Sequence, residues 1–282
     1  MKILITGANG AIGSDLVAFF SKDSIVYAVY RSENFVNKKI NPRNVIWIKH
    51  DLSNEIKMKI KPDVIIHCAV THEFKKKKTL NDYIASNILS TKNLIDFSSN
   101  KKNLKFFNFS TYAIYNREMI DILSVTKNIS EHLIKKSKLS FMNIRLPGVL
   151  TYINTDFRRP WVNSIINKIK NHKHLKILVK DPNFKSVIDT YEIFRFLKSE
   201  INNKKIKNTT INLQASKAIK LSKLIEIIRK KFNSKSKIFY VKENLKKKFN
   251  QSLNKSMSIK FNTNFKVASS KEIMERYLLS IK

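Results

Sequence analysis

The chain is short of cysteine, of glycine and of negative charge. One cysteine, Cys68, in 282 residues excludes an internal disulfide and fits a reducing, cytoplasmic setting. No apolar run approaches the roughly 18 to 20 residues that span a bilayer, so no membrane span is expected. In the opening stretch Met1-Lys2-Ile3-Leu4-Ile5-Thr6-Gly7 a glycine interrupts the apolar residues too early for a signal peptide, and the stretch reads as a first strand. Four glycines serve the whole chain, and three of them fall between residues 7 and 13. There is no internal repeat, and no Gly/Pro/Ser-rich linker divides the chain.

Acidic residues number 21 against 55 lysines and arginines, a formal charge of +34. Such a balance suits nucleic acid or an anionic membrane when the cations are gathered together. Here they are spread through nearly every segment, with short runs at 75–78 and 246–248. No aromatic platform of the single-strand-binding kind lies among them. A solvated, lysine-rich surface is expected, with no specific nucleic-acid partner and a field that draws anionic metabolites.

Hydrophobic residues make up 43% of the chain, enough for a sizeable core. In the first half, short β-branched runs alternate with helical patterns. Strands are expected at Lys2–Thr6, Ile25–Tyr30, Val45–Lys49, Val64–Cys68, Lys105–Ser110 and Ser140–Leu146. Helices are expected at Ala11–Ser21, Asn81–Ser98 and Met119–Lys136, and a helical turn at Asn54–Ile60. After Pro147 the pattern changes. Helices are expected at Phe157–Asn171, Tyr191–Ile201, Leu221–Phe232 and Lys271–Leu279, with short strands at Ile177–Lys180, Thr210–Leu213 and Lys237–Val241 and a polar loop at Asn244–Ala268. His172 and His174 lack further ligands for a metal.

Thr6-Gly7-Ala8-Asn9-Gly10-Ala11-Ile12-Gly13 follows a strand and opens a helix. Gly7 permits the sharp turn, Gly10 lets the backbone approach a pyrophosphate, and Gly13 allows the helix to pack closely on the sheet. The helix N-terminus offers free N–H groups to the anion. Dinucleotide binding is the reading. The second strand ends at Tyr30-Arg31-Ser32. A carboxylate there would hold the ribose 2′-hydroxyl of NAD, whereas Arg31 suits the 2′-phosphate of NADP or is one more surface arginine. The cofactor expected is NADP or NAD, with NADP favoured. Asp51 and Leu52, after the third strand, either contact the adenine edge or cap the next segment. The pattern as a whole predicts an α/β, doubly wound parallel sheet of the Rossmann kind over residues 1–150. A smaller C-terminal α/β substrate-binding lobe over 151–282 packs on it.

Five motifs stand in order: the glycine turn at Thr6 to Gly13; Asp63-Val64-Ile65-Ile66-His67-Cys68-Ala69; Asn87, Thr91, Asn93 and Leu94 on one helix; Ser110, Thr111 and Tyr115; and Arg145-Leu146-Pro147-Gly148-Val149. Together they resemble the extended short-chain dehydrogenase/reductase family, in its NAD(P)-dependent epimerase/dehydratase branch. The resemblance implies that Gly7, Gly10, Ala11, Ile12 and Gly13 surround the pyrophosphate. It places Cys68, Ala69 and Val70 along the nicotinamide-side ribose, Pro147 and Val149 near the ring, and Asn87 in the cofactor site. It also implies a catalytic set in which Thr111 orients the substrate and Lys127 binds the ribose and lowers the pKa of a tyrosine four residues earlier.

That earlier position is Leu123, which carries no proton, and the stretch from Thr111 to Leu123 is short for the family. Tyr112 and Tyr115 are the available phenols, and each also reads as a packing residue at a strand end. Arg158 and Arg159, at a helix start, either clamp a substrate diphosphate or form a solvated basic helix end. The resemblance implies a nucleotide-sugar epimerase, dehydratase or reductase of surface polysaccharide biosynthesis. The alternative is an NAD(P)-binding protein with impaired catalysis and a sensing or structural role. Relatives that dimerise through the two long helices suggest a homodimer; the apolar stripe Ile122, Ile129 and Leu133 either serves that contact or faces the sheet.

Overall fold

The computed structural model describes residues 1–32, 42–71, 78–101, 103–115, 121–153, 160–177, 183–184, 187–204, 206–240 and 265–281. It divides into two compact units, residues 1–146 with 193–213, and residues 147–192 with 214–282.

The first unit is built on seven strands: β1 (Lys2–Thr6), β2 (Ile25–Tyr30), β3 (Val45–Lys49), β4 (Val64–His67), β5 (Lys105–Thr111), β6 (Ser140–Leu146) and β11 (Thr209–Asn212). They lie in the order β11-β6-β5-β4-β1-β2-β3, and every pairing is parallel. The order reverses at β1, which has β2 on one side and β4 on the other. Ligands of doubly wound sheets bind at the C-terminal ends of the strands at such a switch point. The strand expected at Thr210–Leu213 therefore closes the main sheet beside β6.

Helix α1 (Ala11–Phe20) covers one face with α6 (Thr190–Asn202), whose Phe194 ring meets Phe20 at 4.9 Å. The other face carries α2 (Leu80–Tyr83), a π-helical segment Ile84–Leu89, α3 (Ser90–Ser98) and α4 (Ile122–Lys136). Leu94 of α3 and Ile134 of α4 share a core with Leu4, Ile65, Phe106 and Phe141. Those four are register partners across β1, β4, β5 and β6. Since side chains alternate across a strand, residues two further along each strand face α3 and α4 as well.

Two details depart from expectation. Residues 54–60 form no helical turn. Ile56, Met58 and Ile60 pack on the core instead, an alternation of two that suits extended chain, and Asn93 Nδ2 holds the carbonyls of Leu52 and Asn54 at 2.9 and 3.0 Å. The helix expected over Asn81–Ser98 runs on through the π-helical segment, a local widening often found at functional sites.

The second unit has short strand pairs: β7 (Gly148–Leu150) with β10 (Val187–Asp189), β8 (Leu175–Ile177) with β13 (Ile238–Tyr240), and β9 (Asn183–Phe184) with β12 (Ile219–Lys220). Of the strand expected at Ile177–Lys180, residues 178–180 lie outside the described residues; β8 begins two residues earlier than that expectation. Helices α5 (Pro160–Lys170), α7 (Leu221–Lys231) and α8 (Ser270–Leu279) close over these pairs. Their core includes Val162, Ile166, Leu224, Ile225, Ile228, Ile273 and Tyr277. Arg276 of α8 bonds both oxygens of the fully buried Asp189 at 2.8 and 3.0 Å, and Glu192 at 3.2 Å. Most of the loop expected at Asn244–Ala268 lies outside the described residues.

Candidate functional site

The glycine turn is tied on three sides. Gly10 N–H donates to Gly7 O at 2.8 Å and Ala8 N–H to Val29 O at 3.0 Å, while Asn9 Nδ2 reaches Ser32 O at 2.5 Å. Gly7 has φ +62, a conformation that only glycine adopts without strain. A Cβ on it would stand 2.9 Å from both Ala69 N and Ala69 Cα. The turn thus rests directly on the loop after β4, so Gly7 is brought against Cys68 and Ala69. Gly10 caps α1 with no side-chain hydrogen bond, and the first turn holds no acidic residue. The N–H groups of Ala11, Ile12 and Gly13 at that end stay open to an anion. This glycine cradle fits a pyrophosphate, and the bound dinucleotide would supply a hydride acceptor or donor.

At the end of β2, Arg31 is exposed. Its charge is felt at two carboxyl groups, Asp51 and Asp82. Burial works against ionisation of Asp51, but hydrogen bonds from Ser53 and the charges of Arg31 and His50 outweigh it and hold the carboxyl below its usual value. Asp51 Oδ1 accepts from Ser53 N at 3.0 Å and Ser53 Oγ at 2.8 Å, so its side chain closes the turn after β3. Leu52 is buried in the α3–α4 core.

Beneath the β4 loop lies a hydrogen-bonded chain whose directions can be assigned. Thr91 Oγ1 donates to Asn87 O at 2.8 Å, so at 3.1 Å from His67 Nε2 it must accept. His67 Nδ1 is then the acceptor for Thr6 Oγ1 at 2.7 Å, and Thr6 Oγ1 accepts from Ala69 N at 3.2 Å. His67 is fully buried. Burial, and then the charge of Lys127, hold it well below the ordinary imidazole value, so it is neutral. Asn87, also fully buried, links two segments: its Oδ1 accepts from Thr71 N at 3.0 Å and its Nδ2 donates to Thr126 Oγ1 at 2.9 Å. The glycine turn, the 68–71 loop and α4 are thereby locked together.

Lys127 stands on α4 with 4% of its surface exposed. Fastenings lie on both sides of it. Thr126 is held by Asn87, and Glu131, one turn on, takes Arg145 Nε at 2.9 Å and Nη2 at 2.8 Å. Burial disfavours the Arg145 charge, but those two bonds outweigh it and raise its pKa. Thr111, at the end of β5, accepts from Ala113 N at 3.1 Å. Tyr115 donates to Asn212 Oδ1 at 2.9 Å, with its ring 4.8 Å from the Arg145 guanidinium.

The structure therefore groups Gly7, Gly10, Ala11, Ile12, Gly13, Cys68, Ala69, Val70, Asn87 and Lys127 within the first unit. Pro147 and Val149 belong to the second, where Val149 pairs with Ile188 and is buried. Arg158 and Arg159 lie outside the described residues. His67 enters the sequence motifs only as one strand residue, and nothing local signals its partners Thr6 and Thr91, 61 and 24 residues away. His172 and His174 accept from Lys235 N and Lys237 N at 3.3 and 3.1 Å. Among the described residues no group of three His, Cys, Asp or Glu could hold a metal ion, and no helix is long and apolar enough to cross a membrane.

Comparison with known proteins agrees with this architecture. Residues 3–180 match the model of the NAD dependent epimerase/dehydratase family. The capsular polysaccharide biosynthesis protein CapD of Staphylococcus aureus is 28% identical over 169 residues, 52% of this chain but 28% of that protein. Fatty acyl-CoA reductase 1 of Gallus gallus is 41% identical over 75 residues, 25% of this chain and 14% of that protein. The chain thus spans less than a third of the length of either relative. Among solved structures, a UDP-N-acetylglucosamine 4-epimerase from Methanobrevibacter ruminantium superimposes with a TM-score of 0.72 at 19% identity, covering 99% of this chain and 97% of that one. A UDP-glucuronic acid 4-epimerase from Bacillus cereus, in complex with NAD, gives 0.69 at 20% identity over 86% and 87%. These likenesses establish the fold, and with the family match they show that the chain belongs to the NAD dependent epimerase/dehydratase family.

Proposed function

We propose that this chain is an NAD(P)-dependent enzyme acting on a nucleoside-diphosphate sugar, by epimerisation, dehydration or keto reduction, in the making of surface polysaccharide in the cytoplasm. The observation that carries the reading is Lys127, a lysine with 4% exposure on a helix locked to both the glycine turn and the β4 loop. A lysine is costly to bury without a task, and one beside a cofactor ribose both binds it and stabilises a nearby anion. Gly7, Gly10, Ala11, Ile12 and Gly13 would hold the pyrophosphate, and Cys68, Ala69 and Val70 the adjoining ribose. Thr111 would orient the sugar, with Pro147 and Val149 near the ring and Arg158 and Arg159 on the diphosphate. Arg31, standing where a carboxylate would select NAD, supports NADP as the preferred form. The exposed Leu80, Leu89, Val125 and Ile129 on the helices of the first unit support a homodimer.

Titration with NADPH and NADH followed by fluorescence, then turnover of a panel of UDP-sugars, tests the reading. Tight binding, turnover, and loss of turnover in Lys127→Ala are expected. Binding of neither cofactor would sink it. Binding without turnover of any sugar would favour the second reading, a cofactor-binding protein that has lost catalysis, which Leu123 supports.

A further inference from the structure

A hydride moved at a sugar carbon needs a group that takes up or returns the proton on the attached oxygen. Leu123, four residues before Lys127, has no ionisable atom. Two phenols follow Thr111 in the 3-10 turn Tyr112–Tyr115, and the structure separates them. Tyr115 is committed, with its hydroxyl on Asn212 and its ring on Arg145. Tyr112 is 8% exposed, and its hydroxyl has no hydrogen-bond partner among the described residues. An unpaired buried hydroxyl is costly and uncommon in a folded protein. Ser110 Oγ, on the other side of Thr111, is also buried and has no partner among the described residues. Two unfilled hydroxyls thus bracket Thr111 at the C-terminal end of β5, where a doubly wound sheet binds its ligands. Packing alone would be served as well by phenylalanine at position 112.

We infer that Tyr112 exchanges the proton at the reacting oxygen of the substrate, the role that Leu123 cannot fill; the inference rests on the enzymatic reading above. In the reductive direction a hydride reaches the carbonyl carbon while the Tyr112 O–H proton passes to the carbonyl oxygen, leaving an alcohol and a phenolate. In the oxidative direction the phenolate takes that proton back as the hydride departs and the carbonyl re-forms. Burial, and Tyr115 beside it with ring centroids 6.2 Å apart, keep the resting phenol protonated.

The test compares wild type, Tyr112→Phe, Tyr115→Phe and the double variant Tyr112→Phe/Leu123→Tyr. Turnover of UDP-sugars, NADH binding, thermal melting and the near-ultraviolet tyrosinate titration are measured on each. Tyr112→Phe is expected to lower turnover by about 100-fold or more, with NADH affinity unchanged and a melting temperature equal to or above wild type. Leu123→Tyr in that background restores part of the lost rate. One tyrosinate step of the wild type is missing from the Tyr112→Phe titration, and saturating NAD⁺ moves that step to lower pH in wild type, since a cationic ring favours the phenolate. A Tyr112→Phe enzyme with turnover within about threefold of wild type, or a tyrosinate step unmoved by NAD⁺, overturns the assignment and leaves the enzymatic reading intact. A wild type that binds NADH yet turns over no sugar overturns both.

Discussion

The glycine turn gives the sharpest prediction, because two of its glycines are required for different reasons. A Cβ on Gly13 would lie 2.2 Å from Gly7 O, 2.8 Å from Gly7 C and 3.0 Å from Ala8 Cα. All three are backbone atoms, so nothing can rotate away, and α1 must recede from the turn. Overpacking of this kind costs about 3 kcal/mol, and the helix propensity gained by alanine over glycine returns about 1 kcal/mol. Gly13→Ala should therefore lose about 2 kcal/mol, a fall of about 4–8 °C in melting temperature for a chain of this size. Gly10 differs. Its φ of −78 and ψ of 173 suit any residue, and an added Cβ meets only Gly7 O at 3.0 Å, with the next atom at 4.0 Å. Gly10→Ala should cost less than about 1 kcal/mol of stability. Yet the methyl group stands where a pyrophosphate would meet the helix N–H groups. Losing one or two such charge-assisted bonds weakens binding by about 1.5–3 kcal/mol, or about 10- to 150-fold. Thermal melting and NADH fluorescence titration on both variants decide the matter. If Gly10→Ala binds as wild type does, the turn is not a pyrophosphate cradle. If Gly13→Ala melts with wild type, the packing argument is wrong.

His67 should make the fold acid-sensitive. Burial, and then the charge of Lys127, hold its folded pKa well below the ordinary imidazole value, so as the pH falls through that value the unfolded chain binds a proton that the native state refuses. Stability then falls with falling pH by up to about 1.4 kcal/mol per unit, until the folded pKa is reached. Urea unfolding at pH 7 and pH 5 should show a shallower loss in His67→Gln; equal losses would remove His67 as the cause. The Glu131–Arg145 pair, with Glu131 fully buried and Arg145 at 13% side-chain exposure, should cost about 3–5 kcal/mol when Glu131→Ala strands the guanidinium. Glu131→Leu with Arg145→Met should recover most of it in the same denaturant assay. A single-variant loss below about 1 kcal/mol would mean that the pair is solvated.

Much of the first unit was legible from local pattern. The expected bounds Lys2–Thr6, Ile25–Tyr30, Val45–Lys49 and Ser140–Leu146 are those observed, because each is rich in apolar residues and is followed by a glycine, a polar pair or a proline. Where two periods compete, local pattern misled. Residues 54–60 carry Ile56, Met58 and Ile60; extended chain presents all three on one side, whereas a turn of helix presents only Ile56 and Ile60 together. The choice is made by Asn93, 39 residues away from Asn54. The place of β11 is likewise a matter of long-range pairing, since nothing within Thr209–Asn212 names Met142 to Arg145 as its partners.

What the sequence hid most completely is a polar layer through the sheet. Thr6, His67, Asn108, Asn143 and Thr210 sit on five different strands, and each is the register partner of the next. Read singly, each is one polar residue in an apolar strand and carries no signal. Read across the register, they form a band one layer above Leu4, Ile65, Phe106 and Phe141, on the face toward α3 and α4. Thr6 bonds His67 at 2.7 Å and Asn108 bonds Asn143 at 2.8 Å. The next layer up, Ser110, Arg145 and Asn212, is also in register and anchors α4 and Tyr115. Apolar packing would hold these helices to the sheet as firmly, but it tolerates sliding, whereas hydrogen bonds of fixed direction set one position. The role proposed for Lys127 requires a fixed distance from the β4 loop, and Asn87, Glu131 and Arg145 fasten α4 on both sides of it. The polarity of these strands is therefore better explained by the fixing of α4 than by stability, for which Asn108 Oδ1, without a partner among the described residues, is a cost.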